Sequence, residues 1–244
     1  MIDAANATIA LWGNDSFDCE ALGADIAAGA TIALEVSEQI ALLDRRIRDL
    51  YADADPQGIV LSAPGVGDIL AAQILGRLGN PHRFTSLAAA RSFTGLIPRQ
   101  NSSGLTNQAG GPTKQGDACL RAALFQAADR ARLVDPQLAA HYQRLMRESG
   151  RHHTSATCTI ATVLLTRIVS CLRTGVPYQL RDVDGTPITS QQGRAIVAER
   201  YQIPADIRAA KRSITNTRRV KGRDERVTKG VAERSKTPPV PTPA

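Results

Sequence analysis

A chain of 244 residues with 43% apolar content can bury a real core in one or two domains. Its formal net charge of +7 points toward a polyanionic partner, although solubility alone also asks for charge. The four cysteines, Cys19, Cys119, Cys158 and Cys171, form no CxxC pair and no zinc spacing, which argues against a disulfide framework and leaves reduced thiols in a cytoplasmic chain.

Residues 1–30 are weakly patterned. They lack a basic n-region and a long apolar core, so they are no secretory signal. No apolar run in the chain approaches the ~20 residues that span a bilayer, and no membrane partner is expected. The segment 31–56 reads as a coiled-coil-like helix from Thr31 to Ala54. Val36, Ile40, Leu43, Ile47 and Leu50 alternate four and three apart, a heptad seam. A seam of this length is marginal alone, so it pairs with something: an antiparallel arm, the next domain, or a second copy of the chain.

After the breaker Asp53-Ala-Asp-Pro-Gln-Gly58, residues 57–180 read as one all-α domain. A short helix is predicted from Gly58 to Ala63 and a second from Asp68 to Leu78. Between them, Pro64-Gly65-Val66-Gly67 has the composition of a helix-hairpin-helix turn. Glycine allows the tight turn, and Gly65 and Gly67 leave N–H groups bare where the next helix starts, a place that can take a phosphate. An ordinary Pro-Gly turn between packed helices explains the same residues. Ser86 or Thr85 caps a helix through Phe93 that stops at Gly95. Residues 96–111 have no periodicity and read as a loop of about 16 residues, longer than structural connections usually need.

Asp117 to Val134 is predicted as an amphipathic helix with Leu120, Leu124, Ala127 and Ala131 inward. Asp135-Pro136 starts another, on which Tyr142 and Met146 read as core. A long apolar helix follows through Arg173, with Ile160, Val163, Leu164, Ile168 and Leu172 inward. His152 and His153 at its entrance have no third ligand and read as solvated or capping. Residues 181–204 are a turn and a short helix. Residues 205–244 are rich in Lys, Arg and Pro and read as a disordered basic tail suited to a polyanion.

Taken together these residues resemble a known family. Leu61-Ser-Ala-Pro-Gly-Val-Gly67, Arg83 through Pro98, Asn101-Ser-Ser-Gly104 and Pro112-Thr-Lys-Gln-Gly-Asp-Ala-Cys-Leu-Arg121 resemble, in order, blocks of the C-terminal domain of insertion-sequence one-ten, one-sixteen and nine-zero-two transposases, which are bridge-RNA-guided recombinases. The resemblance covers about residues 31–180. It implies DNA transposition by a serine hydroxyl that attacks a phosphodiester, with Ser103 as nucleophile and Ser102 as the adjacent alternative. It implies DNA and a structured guide RNA as partners, and a homo-oligomer, with the 31–56 helix as the contact. Charge on the attacked phosphoryl group needs cations, and Arg99, Lys114 and Arg121 flank the serines in sequence. Arg121 is the best placed of the three for a phosphate clamp, although an exposed helical arginine reads the same way.

The family's divalent metal lies in an N-terminal RuvC-like domain. Asp3, Asp15, Asp18, Glu20 and Asp25 lie too close together, without strands, to build such a carboxylate cage. No cofactor is therefore expected within this chain, and a truncated or split transposase is the expectation. A non-catalytic nucleic-acid-binding or oligomerising remnant is the alternative.

Overall fold

The computed structural model describes residues 19–103, 106–204 and 207, with 98–103 and 106–111 as backbone. The expected basic tail, Trp12 and the acids Asp3, Asp15 and Asp18 lie outside the described residues. The chain divides into two compact units between Asp53 and Ala54.

The first unit is one helix, α1, from Cys19 to Ala54. It begins twelve residues before the expected start at Thr31, so 19–30 are helical rather than weakly structured. The sequence supports this: Leu22 and Ile26 continue the four-three spacing upstream, with Gly29 and Ala33 at the intervening positions. The seam residues Val36, Ile40, Leu43 and Leu50 are all exposed.

The second unit is helical throughout its packed layers. Its elements are α2 (Asp68–Leu78), a 3-10 turn (Pro81–Arg83), α3 (Leu87–Thr94), α4 (Ala118–Ala131), α5 (Pro136–Arg147), α6 (His153–Thr174) and α7 (Ser190–Arg200). Their borders follow local chemistry. Ser86 caps α3 through the Ala89 N–H at 3.1 Å, and Gly95 ends it in the left-handed region. Asp117 caps α4 and Asp135 caps α5. Thr189 and Gln192 form a reciprocal capping box on α7.

Two expectations need correction. Residues 58–63 are not a helix: a single turn closes from the Ser62 N–H to the Gly58 carbonyl at 2.9 Å, and the chain then tightens toward Val66. Six residues ahead of Pro64-Gly65 are too few to propagate a helix. The stretch from 98 to 112 is not a loop but an antiparallel ribbon, β1 (Pro98–Ser103) paired with β2 (Thr106–Pro112). Its polar sequence lacks the apolar alternation that marks a half-buried strand, and a ribbon that pairs only with itself needs none.

The core lies where α4 crosses α6. Leu120, Leu124, Ala127 and Ala131 are fully buried, as their spacing predicts. On α6 the inward face is Ile160, Leu164, Leu165, Ile168 and Val169, whereas Val163 and Leu172 are only half buried. The buried residues of α6 come in adjacent pairs four apart, a broader stripe than a single inward row. Tyr142 and Met146 complete the core from α5.

Both α1 and α6 are long and apolar enough, by length and composition, to cross a bilayer, which run-length reading missed because each is broken by small polar residues. In α6 that apolarity is accounted for by burial within the domain.

Candidate functional site

The ribbon joins the helical platform through one tight joint. Gly95 ends α3 at φ 66°, and Lys114 turns the returning chain at φ 58°. That backbone is uncommon for a residue with a Cβ, and it is held here by the surrounding bonds. The Thr113 N–H donates to Ile97 O at 2.9 Å, Lys114 N–H to Gly95 O at 3.0 Å, and Asp117 N–H to Phe93 O at 3.1 Å. Gly116 lies so close beneath α3 that a Cβ would fall 2.4 Å from Phe93 O. The joint therefore requires a glycine, since backbone atoms cannot yield.

Arg121, in the first turn of α4, crosses this joint. Its Nη1 donates to Thr94 O at 3.1 Å and to Lys114 O at 3.4 Å, one carbonyl on each side of the ribbon's base. The guanidinium expected to clamp a phosphate thus commits one nitrogen to the protein's own backbone. Asp117 caps α4 through Leu120 N–H at 2.8 Å and meets Arg77 of α2 at 3.5 Å. Burial pushes the Cys158 thiol up, while the charges of Arg121 and Lys114 pull it down, so α6 feels the joint's positive field.

Ser102 and Ser103 stand at the other end of the ribbon. Ser102 pairs with Asn107 and Ser103 with Thr106, the last described pairs of the ribbon. Arg99 falls at the irregular step between the Pro98 and Gln100 pairs. With ~3.3 Å per residue, the five steps from Pro98 to Ser103 put the serines about 17 Å from the ribbon's base. The structure brings Lys114 and Arg121 together.

The two glycines of the Pro64-Gly65-Val66-Gly67 turn differ. Gly65, at φ +76°, presses on α4, where a Cβ would lie 2.4 Å from Ala127 O and 2.5 Å from Ala131 N. Packing accounts for this glycine without a phosphate. Gly67 is the exposed N-cap of α2 and has no side-chain cap, so that helix start keeps bare N–H groups, with Asp68 as the acid of its first turn.

Sequence reading missed a polar network that ties α5, α6 and the following segment together. Asp135 is 1% exposed. One of its oxygens accepts from the N–H groups of Gln137 and Leu138, at 2.9 and 3.1 Å. The other accepts from Arg167 Nη1 at 3.1 Å and from the Tyr178 hydroxyl. Arg167 also donates to Gln137 Oε1 at 2.8 Å. Burial, then the Asp135 charge, pushes the Tyr178 phenol far up, against the pull of Arg167, so it stays protonated and donates. The Asp-Pro helix start gave the cap; its buried partners come from residues 32 and 43 positions away. At the entrance of α6, His152 is the N-cap, and His153 Nδ1 meets the Tyr142 hydroxyl at 2.8 Å.

Among the described residues no group of three or more His, Cys, Asp or Glu could hold a metal ion.

Comparison with known proteins gives a consistent result. Residues 57–143 match the model of the Transposase IS116/IS110/IS902 family. The chain is 29% identical over 155 residues to the insertion element IS110 uncharacterized 43.6 kDa protein of Streptomyces coelicolor, covering 64% of this chain and 38% of that one. It is 33% identical over 114 residues to the transposase for insertion sequence element IS1328 of Yersinia enterocolitica, covering 47% and 31%. A 69-residue stretch is 38% identical to the transposase for insertion sequence element IS1111A of Coxiella burnetii, covering 28% and 19%. The matched part thus spans well under half of each of these relatives.

Proposed function

We propose that this chain, whose residues 57–143 match the model of the Transposase IS116/IS110/IS902 family, acts on DNA in transposition, with the end of the β1–β2 ribbon as its reacting element. The observation that carries this reading is the placement of the Ser102–Ser103 pair. A doubled serine closes a polar ribbon whose base is locked to the platform by Gly95, Lys114, Gly116 and Arg121. A nucleophile at the end of a two-stranded ribbon can reach into a groove of DNA while the ribbon's base keeps register.

In the proposed step the Ser103 Oγ, or Ser102 Oγ in the alternative register, attacks a DNA phosphorus. The Oγ–P bond forms, the P–O3′ bond breaks, the serine gives up its proton, and the departing 3′ oxygen takes one up. The phosphoserine keeps a phosphodiester that a new 3′ hydroxyl can reclaim. Arg121 and Lys114 hold the ribbon's base rather than the phosphoryl group, so Arg121 is a positioning residue. Arg99, inside β1, is the flanking cation nearest the serines along the chain. Partners on this reading are DNA and a structured guide RNA in the cytoplasm. The chain would self-associate through α1, whose seam Val36, Ile40, Leu43 and Leu50 is exposed.

Incubation with element-end DNA, with and without a separately supplied metal-bearing domain of the family, checks the serine. A protein–DNA adduct should form, and Ser103→Ala or Ser102→Ala should abolish it. An adduct that survives both substitutions, or none under either condition, overturns the assignment. The commitment of Arg121 to the backbone carbonyls of Thr94 and Lys114 favours a second reading, a binding module without chemistry. That reading expects DNA retention with no adduct.

A further inference from the structure

Among the described residues, a groove of about 650 Å³ runs along the outer face of α5. Its walls are Gln137, His141, Arg144, Arg147 and Glu148 of the helix, with Val183 of the following turn opposite. The helix spacing explains the row: 137, 141, 144 and 148 recur four, three and four apart on one face, while Leu138, Tyr142, Leu145 and Met146 turn inward. The opposite wall is fixed, because Gln137 Nε2 donates to Asp182 O at 3.0 Å, and Gln137 is itself held by Arg167.

The arginines of this domain sort by what they meet. Arg77, Arg132, Arg167 and Arg200 pair with carboxylates. Arg83, Arg121 and Arg173 donate to backbone carbonyls. Arg144 and Arg147 are exposed, and neither guanidinium meets a carboxylate among the described residues; the same holds for Arg130 and Arg194, but Arg144 and Arg147 line one concavity together. Two uncompensated guanidinium groups in one concavity, against the single acid Glu148, leave it positive. His141 registers that field: burial, then Arg144, Arg151 and Arg167, lowers its pKa, so the imidazole is neutral at neutral pH and offers one donor and one acceptor.

We infer that this α5 groove is a second nucleic-acid contact of the chain, in which Arg144 and Arg147 grip the sugar–phosphate backbone of one strand. The inference rests on the nucleic-acid reading above but uses none of the residues of the ribbon. Guanidinium forks match phosphate oxygens, and the neutral His141 imidazole beside them suits a sugar hydroxyl or a base edge. Either DNA or RNA can supply the strand, since both present the same backbone.

The test uses the full 244-residue chain and measures anisotropy of labelled duplex DNA and of single-stranded RNA of equal length, titrated between about 50 and 200 mM salt. The double substitution Arg144→Gln, Arg147→Gln should lower the slope of log K against log salt by about 2, one unit for each phosphate no longer neutralised. The DNA and RNA arms show which strand occupies the groove. The pair Arg144→Lys, Arg147→Lys keeps the charge and should keep the slope; a fall of equal size in that pair would overturn the inference. Circular dichroism should be unchanged in both, because the two side chains are exposed. An unchanged slope on both nucleic acids, with the unsubstituted chain binding, removes the groove and leaves the ribbon reading intact. No binding by the unsubstituted chain removes both.

Discussion

α1 and α6 are alike in composition and opposite in surroundings. Both are long, and their most apolar windows have mean hydropathies of 1.4 and 1.6. In α6 the apolar residues Ile160, Leu164, Leu165 and Ile168 are at most 1% exposed. In α1, Leu22, Ile26, Val36, Ile40, Leu43 and Leu50 are 51–63% exposed. The difference lies in angular spread. The buried residues of α6 run two abreast, 156–157, 160–161, 164–165 and 168–169, a face wide enough for neighbours on several sides. The exposed apolar residues of α1 keep mostly to a four-three seam, the width of one partner helix, with Ile32, Leu34 and Leu42 beside it. Apolar content says how much surface wants cover; its distribution says what kind of cover can be had.

The sharpest way to break the comparison is to loosen α6 from its polar anchor. Asp135→Ala should cost about 4 kcal/mol in urea unfolding, because Arg167 and Tyr178 lose their buried acceptor and α5 loses its cap. A cost below about 1 kcal/mol would show that water replaces the carboxylate without penalty. Next in size, Leu164→Ala should cost about 3 kcal/mol, since a fully buried leucine leaves a cavity between α6 and α4. The matching change on the other helix should behave differently. Leu43→Asp should alter the unfolding of the 54–244 unit by less than about 0.5 kcal/mol, as expected of a substitution away from its core, yet lower the mass seen in sedimentation. An unchanged mass would exclude the seam as the contact between copies.

The smallest effect concerns pH. The folded pKa of His141 lies below its usual 6.5, so the folded state prefers the neutral ring. Its contribution to stability is therefore complete above about 6.5 and is lost as the pH falls through the lower, folded value. Melting temperature should drop on acidification across that window, and His141→Gln should shrink the drop. A drop of the same size in the variant would assign it to other groups.

The helices of the second unit were legible because each carries its own punctuation. Ser86 and Gly95 bracket α3, Asp117 opens α4, Asp135-Pro136 opens α5, and Gly175 closes α6. These signals act within one turn of chain and need no partner. The ribbon was not legible, because Gln100-Asn-Ser-Ser and Thr106-Asn-Gln carry no apolar alternation and pairing of backbones does not require one. The early start of α1 was missed for a related reason: Gly29 and Ala33 occupy seam positions without looking apolar.

The candidate site divides in the same way. By themselves, the spaced motifs carried the resemblance to a family, which a match over residues 57–143 supports, and singled out the doubled serine, since order and spacing are properties of the chain. What Gly65 is for, which carbonyls Arg121 holds, and which arginines are left without carboxylates depended on the fold. Each is decided by an atom brought from far along the sequence: α4 backbone onto Gly65, Thr94 and Lys114 onto Arg121, Asp135 onto Arg167. A side chain's chemical type is written in the sequence, but its partner is chosen by packing, and it is the partner that turns a charge into an anchor or leaves it open for a ligand.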